Sequence, residues 1–126
     1  MKYLCLVYFD ENKLHAIPES PEDEECHAYD RELRDRGYCI ASEALAPVAK
    51  AATVRVHRGN VLVTDGPFAE TKEQLAGFYL IEARDMNEAI HVAEKIPAAR
   101  IGCIEVRPVR ELDVDQDLLE SRRRRA

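Results

Sequence analysis

Val63-Thr64-Asp65-Gly66-Pro67-Phe68-Ala69-Glu70-Thr71-Lys72-Glu73 decides how this chain is laid out. A backbone-bending Asp-Gly-Pro leads into a charged turn and then into the strand-forming run Gly77-Phe78-Tyr79-Leu80-Ile81-Glu82-Ala83. Upstream, Ala52 to His57 and Val61 to Thr64 flank Arg58-Gly59-Asn60, which is suitable chemistry for a hairpin connection. The turn around Asp65 closes that hairpin, and a strand-helix-strand pattern lies on either side of it.

On the N-terminal side, Tyr3-Leu4-Cys5-Leu6-Val7-Tyr8-Phe9 is an uninterrupted apolar run, short enough for a strand covered on both faces. Ser20-Pro21-Glu22-Asp23 reads as an N-cap, a first-turn proline and an acidic third position, and a helix is predicted from there to about Arg36. Its apolar stripe is Cys26, Tyr29 and Leu33, and Gly37 is placed to end it in a left-handed conformation. Tyr38 to Ala41 then predicts a strand running irregularly toward Leu45.

On the C-terminal side, Asp85-Met86-Asn87-Glu88 opens a second helix with a capping box, and Met86, Ala89, Ala93 and Ile96 form its buried stripe. Pro97 ends it, and a last strand runs from about Gly102 to Val109. The order β-α-β, hairpin, β-α-β predicts an α+β fold: a ferredoxin-like split βαβ sheet with a hairpin insertion and both helices on one face. That layout leaves a sheet face bare. Because the first strand is apolar on both sides, burial against a second copy is expected, giving a homodimer.

The 126 residues suit one core, with 46% apolar content, and divide into a domain over 1–112 and a charged tail over 113–126, expected to be flexible or helical. The tail's Arg122 to Arg125 follow Asp113, Asp115, Asp117 and Glu120, so it is nearly self-neutral. A net charge of −6 argues against nucleic-acid binding, which rests on clustered Lys and Arg. No apolar run approaches the roughly 20 residues of a membrane span, no signal-peptide pattern follows Met1, and the expected compartment is the cytoplasm. Cys5, Cys26, Cys39 and Cys103 form no Cys-x-x-Cys pair and are expected to be buried, reduced thiols. His15, His27, His57 and His91 lack ligand spacing, so neither a metal nor another cofactor is expected.

With these elements in place, the chain resembles the YCII-related family, in particular its branch named for the Asp-Gly-Pro-Phe stretch. The matching residues are Asp65-Gly66-Pro67-Phe68, Glu70-Thr71-Lys72-Glu73, Gly77-Phe78-Tyr79, Glu88-Ala89 and Glu105-Val106-Arg107-Pro108-Val109. The resemblance implies a dimeric α+β barrel, two ferredoxin-like protomers packed sheet to sheet around a cavity. It also implies a histidine on the first helix and an aspartate as functional groups, and for this branch occasional association with sigma-factor regulators. Counted back from Leu33 and Gly37, the family's histidine position falls at Cys26, and the roughly 100° step per helical residue turns its neighbour His27 off the core face.

The candidate residues follow. Asp65, on a constrained turn, is either a structural turn former or a catalytic or ligand-binding carboxylate. Strand alternation sets Ile104 and Val106 against Glu105 and Arg107, so the charged pair faces away from the helices, as an anion clamp in a shared cavity or as an ion pair at a dimer interface. Tyr29 is a core residue whose hydroxyl could serve as a donor, and His27 is a solvated helix residue or a general base. Glu70 and Lys72 read as surface or hinge residues.

Two functions fit. One is a cofactor-independent lyase or isomerase-like enzyme moving protons on a small polar or phenolic metabolite, with Asp65, His27 and Tyr29 catalytic and Arg107 and Glu105 binding substrate; it requires Asp65 and Arg107 to approach a common pocket. The other is a non-catalytic dimeric module that senses a metabolite or docks a transcription regulator.

Overall fold

A computed structural model describes residues 1–112 and 122–124. Residues 113–121 and 125–126, most of the expected charged tail, lie outside the described residues. Eight principal elements follow one another: β1 (Lys2–Phe9), α1 (Asp23–Asp35), β2 (Cys39–Ala44), β3 (Ala52–His57), β4 (Asn60–Asp65), β5 (Gln74–Glu82), α2 (Met86–Glu94) and β6 (Gly102–Pro108). Short 3-10 turns occupy Glu11–Lys13, Val48–Lys50 and Pro97–Ile101. Four strands form one antiparallel sheet in the order β2-β5-β1-β6, and β3 and β4 form a separate two-stranded ribbon. The architecture is α+β.

Alternation along central β1 builds the core. Tyr3, Cys5, Val7 and Phe9 are buried, and they pack with Ile81 of β5, Leu33 of α1, and Ala89, Val92 and Ala93 of α2. The other face of β1 carries Leu4, Leu6 and Tyr8, which stay partly exposed. Register sets Leu4 between Leu80 and Arg107, Leu6 between Phe78 and Glu105, and Tyr8 between Leu75 and Cys103. That face is apolar at its centre, and each large side chain left in water forgoes part of the ~1.5–3 kcal/mol that full burial contributes.

Helix ends follow local chemistry, with one correction. α1 starts at Asp23, its N-cap Glu22 makes no side-chain cap, and the hydroxyl of Ser20, expected as the cap, instead accepts from the His15 backbone amide at 2.7 Å. His15 itself has φ 61°, so Ser20 stabilises a tight loop ahead of the helix. Asp23, Glu24 and Glu25 complement the free amides of the first turn. At the other end Gly37 has φ 79°, the Tyr38 amide donates to Leu33 O at 2.9 Å and the Gly37 amide to Arg34 O at 3.1 Å, the paired bonds of a Schellman motif. At α2, Asp85 Oδ1 accepts from the Glu88 amide at 2.9 Å and Glu88 Oε1 accepts from the Arg84 amide at 3.1 Å, so the capping box forms with its return arm one residue early.

The ribbon turns through Arg58 and Gly59, both at positive φ (50° and 79°), as a type I′ hairpin requires. Val54, Val56, Val61 and Val63 share one of its faces and are each about three-fifths exposed. Its base is fastened by the Gly66 amide to Ala51 O at 2.7 Å and by Thr53 Oγ1 to Gly66 O at 2.9 Å.

All four cysteines are free, but only Cys5 is buried; Cys26 and Cys39 are partly buried and Cys103 is exposed. Cys103 departs from expectation because it falls on the open sheet face, in phase with Glu105 and Arg107 rather than with Ile104 and Val106. Among the described residues no helix is long and apolar enough to cross a membrane.

Candidate functional site

A cavity of about 480 Å³ opens between α1, the β2 edge and β5. One face of α1 supplies its polar wall: Asp23, Cys26, His27 and Asp30 stand at i, i+3, i+4 and i+7, a single stripe of a 3.6-residue helix. Facing them are Ser42 of β2 and Tyr79 of β5, a directly opposed cross-strand pair. Val7 and Phe9 of β1 and Ile96 form an apolar floor, with Glu43 at the β2 edge.

Asp30 is the hub of this wall. Its Oδ1 accepts from the Ser42 hydroxyl and from the Cys39 thiol at 3.7 Å, and its Oδ2 accepts from Arg34 Nε at 3.0 Å. Arg34 also reaches Ser42 Oγ with Nη2 at 3.1 Å. Burial pushes the Asp30 carboxyl up, but the hydrogen bonds from Ser42 and Arg34 outweigh it and hold the group below its ordinary value. Asp30 is therefore an anchored carboxylate. Tyr79 stands opposite in tendency, because burial chiefly pushes its phenol up and keeps it a neutral donor. Its hydroxyl makes no hydrogen bond among the described residues, and its ring meets Tyr29 edge-on at 6.5 Å.

The cavity thus combines a fixed anion, a neutral phenol donor and an imidazole, which can both accept and donate a proton, above an apolar floor. Such a set orients a compact polar molecule and can move a proton on it. Among the described residues there is no group of three or more His, Cys, Asp or Glu side chains able to hold a metal ion.

The residues singled out from sequence divide sharply. His27 is exposed yet lines the cavity, next to Cys26. Tyr29 packs against the core, and its hydroxyl donates to Val92 O at 2.7 Å rather than into the cavity. Asp65 ends β4 opposite Ala52, exposed on the ribbon and outside the cavity lining. Glu105 and Arg107 project from the open face of β6, opposite Leu6 and Leu4, while the cavity is on the helix side. The expected approach of Asp65 and Arg107 to a common pocket is not found within the chain. In-register pairing keeps the first on the ribbon, and alternation turns the second to the other side of the sheet.

Asp30, Ser42 and Tyr79 are the site residues that reading the sequence passed over. The stripe Asp23, Cys26, His27, Asp30 carried the signal for Asp30. Nothing local marked Ser42, since its place depends on pairing with a strand 37 residues away.

Comparison with known proteins follows from this geometry. An uncharacterized protein of Rhizobium meliloti (strain 1021) is 40% identical over 116 residues, covering 86% of this chain and 92% of that protein. Among solved structures, 5-chloro-2-hydroxyhydroquinone dehydrochlorinase (TftG) from Burkholderia phenoliruptrix AC1100, in complex with 2,5-dihydroxybenzoquinone, superposes with a TM-score of 0.54. It covers 89% of this chain and 96% of its own at 14% identity, a likeness of fold alone. The YCII-related domain matches residues 1–113, and the chain belongs to the YCII-related family.

Proposed function

We propose that the cavity is a small-molecule site in which His27, Asp30 and Tyr79 carry out cofactor-independent proton transfer, of the lyase or isomerase kind, on a compact polar or phenolic molecule. The observation that carries this is the convergence of an anchored carboxylate, an uncommitted phenol and an imidazole on one apolar-floored cavity. Asp30 accepts a hydroxyl of the ligand, Tyr79 donates to an oxygen on which charge develops, and His27 takes up and returns the proton. Tyr29 positions α1 through its bond to Val92. The dehydrochlorinase supplies a precedent for ring chemistry on this fold, and fold likeness by itself assigns no reaction.

The test is a thermal-shift panel of hydroxylated and halogenated phenols on the full chain, with turnover followed by absorbance for each compound that raises the Tm. His27→Gln and Tyr79→Phe are expected to lower turnover at least about tenfold, within the range of a general acid or base, while the unliganded Tm stays close to wild type. Stabilisation without turnover in the wild-type protein would establish the alternative, a ligand-sensing module. Absence of any stabilising compound, or variants that bind and react normally, would remove the cavity from consideration.

The assembly completes this reading. The strand order is taken as a ferredoxin-like split βαβ sheet with the hairpin between its halves, and two copies pack their open faces together as an α+β barrel. Support comes from the partly exposed row Leu4, Leu6, Phe78 and Leu80, and from Tyr8, whose phenol is pushed up by burial and by the adjacent Glu105. In that arrangement Glu105 and Arg107 meet the second copy. Analytical ultracentrifugation should show a dimer that Leu6→Lys converts to monomer; a monomeric wild type would end the proposal.

A further inference from the structure

The cavity has a charge preference as well as a shape, and the inference rests on the reading of it as a ligand site. Among the described residues its lining carries the carboxylates of Asp23 and Asp30 and neither lysine nor arginine, while Glu43, opposite Phe78 in the register, has its side chain on the open face of the sheet. The adjacent cation, Arg34, has Nε on Asp30 Oδ2 at 3.0 Å and Nη2 on Ser42 Oγ at 3.1 Å, so its donors are turned toward protein groups. Outside the lining, His15 Nε2 stands 3.3 Å from Asp23 Oδ1 and faces that carboxylate. Arg107, the anion clamp expected from sequence, belongs to the other face of the sheet.

From this juxtaposition we infer that the site takes uncharged or cationic hydroxylated ring compounds and rejects their carboxylated, sulfonated or phosphorylated counterparts. A phenolic hydroxyl is a donor, and Asp30, acceptor-only when ionised, offers it a partner. A ligand carboxylate brings a third negative charge to a lining that holds, among the described residues, no guanidinium or ammonium. Each unit charge about 4 Å away in water-like surroundings is worth about 1 kcal/mol, roughly fivefold in affinity. The open rim lets salt screen part of that repulsion.

The experiment compares hydroquinone, 2,5-dihydroxybenzoate and tyramine on the full chain by ligand-observed NMR titration at low and high salt, in wild type, Asp23→Asn and His27→Gln. Hydroquinone and tyramine should each bind at least about fivefold more tightly than 2,5-dihydroxybenzoate at low salt. Asp23→Asn and added salt should both narrow the gap. Equal or tighter binding of 2,5-dihydroxybenzoate overturns the charge preference while leaving the site intact. Failure of all three probes to bind, or binding of hydroquinone unaltered in His27→Gln, overturns the site reading itself and the preference with it.

Discussion

The hydroxyl of Tyr29 donates to the carbonyl of Val92 at 2.7 Å, so a residue in the middle of α1 closes a hydrogen bond on the last turn of α2. A second tie runs from Arg100, in the 3-10 turn after α2, to the Glu25 carboxylate of α1 at 2.7 Å. Tyr29→Phe keeps the ring against Tyr79 and removes only the hydroxyl's tie, leaving the Val92 carbonyl its bond from the Lys95 amide at 3.3 Å. The expected cost is about 0.5–1.5 kcal/mol, read as a lower urea midpoint with unchanged m-value.

The same residue makes stability fall in alkali. Burial, first among its causes, pushes the Tyr29 phenol from the ordinary 10 up to about 12. The folded protein holds this proton more tightly, so the contribution is complete below about pH 10 and is lost as pH rises toward about 12. Tyr29→Phe should flatten its share of that decline, which chemical melts across the interval will show.

Asp30 acts at the other end of the scale. Its folded pKa is depressed, so its contribution is present above the ordinary aspartate value near 4 and disappears as pH falls through the lower folded value. Asp30→Asn is expected to cost about 1–3 kcal/mol near pH 7, where it strips a charge-assisted partner from Arg34 and Ser42. The Tm gap between wild type and variant should shrink from pH 6 to pH 3; a constant gap would show that the carboxylate's charge is not what stabilises the wall.

Gly102 should tolerate no side chain. A Cβ there would fall directly onto the Tyr8 carbonyl oxygen and within 2.8 Å of Phe9 Cα, both backbone atoms of the central strand. Gly102→Ala must therefore separate β1 from β6 at their junction. A loss of about 3 kcal/mol or more is expected, at or beyond the usual range for overpacking, measured by denaturant unfolding.

Much of the fold was legible because its signals are local. The apolar run of β1, the Asp85–Glu88 capping box and the left-handed Gly37 each follow from a few neighbouring residues, and each appears where the sequence places it. Ser20 misled because its capping chemistry is the same whether the amide it satisfies belongs to a helix or, as here, to the loop at His15. The site was less legible, and the reason is geometric. His27 could be named on residue type, but Ser42 and Tyr79 meet Asp30 only through the β2–β5 register, which no short window encodes. Asp65 drew attention through its unusual turn, a feature of backbone shape that says nothing about which space the carboxylate faces.

The β3–β4 ribbon is closed at its own base by two hydrogen bonds at Gly66 and, among the described residues, shares no strand pairing with the four-stranded sheet. It can therefore be lengthened, trimmed or recoded at Arg58-Gly59 without rewriting the core. For an experimenter this is a handle: an epitope or fluorophore spliced into that tip would report on the protein while leaving the cavity and the sheet as they are.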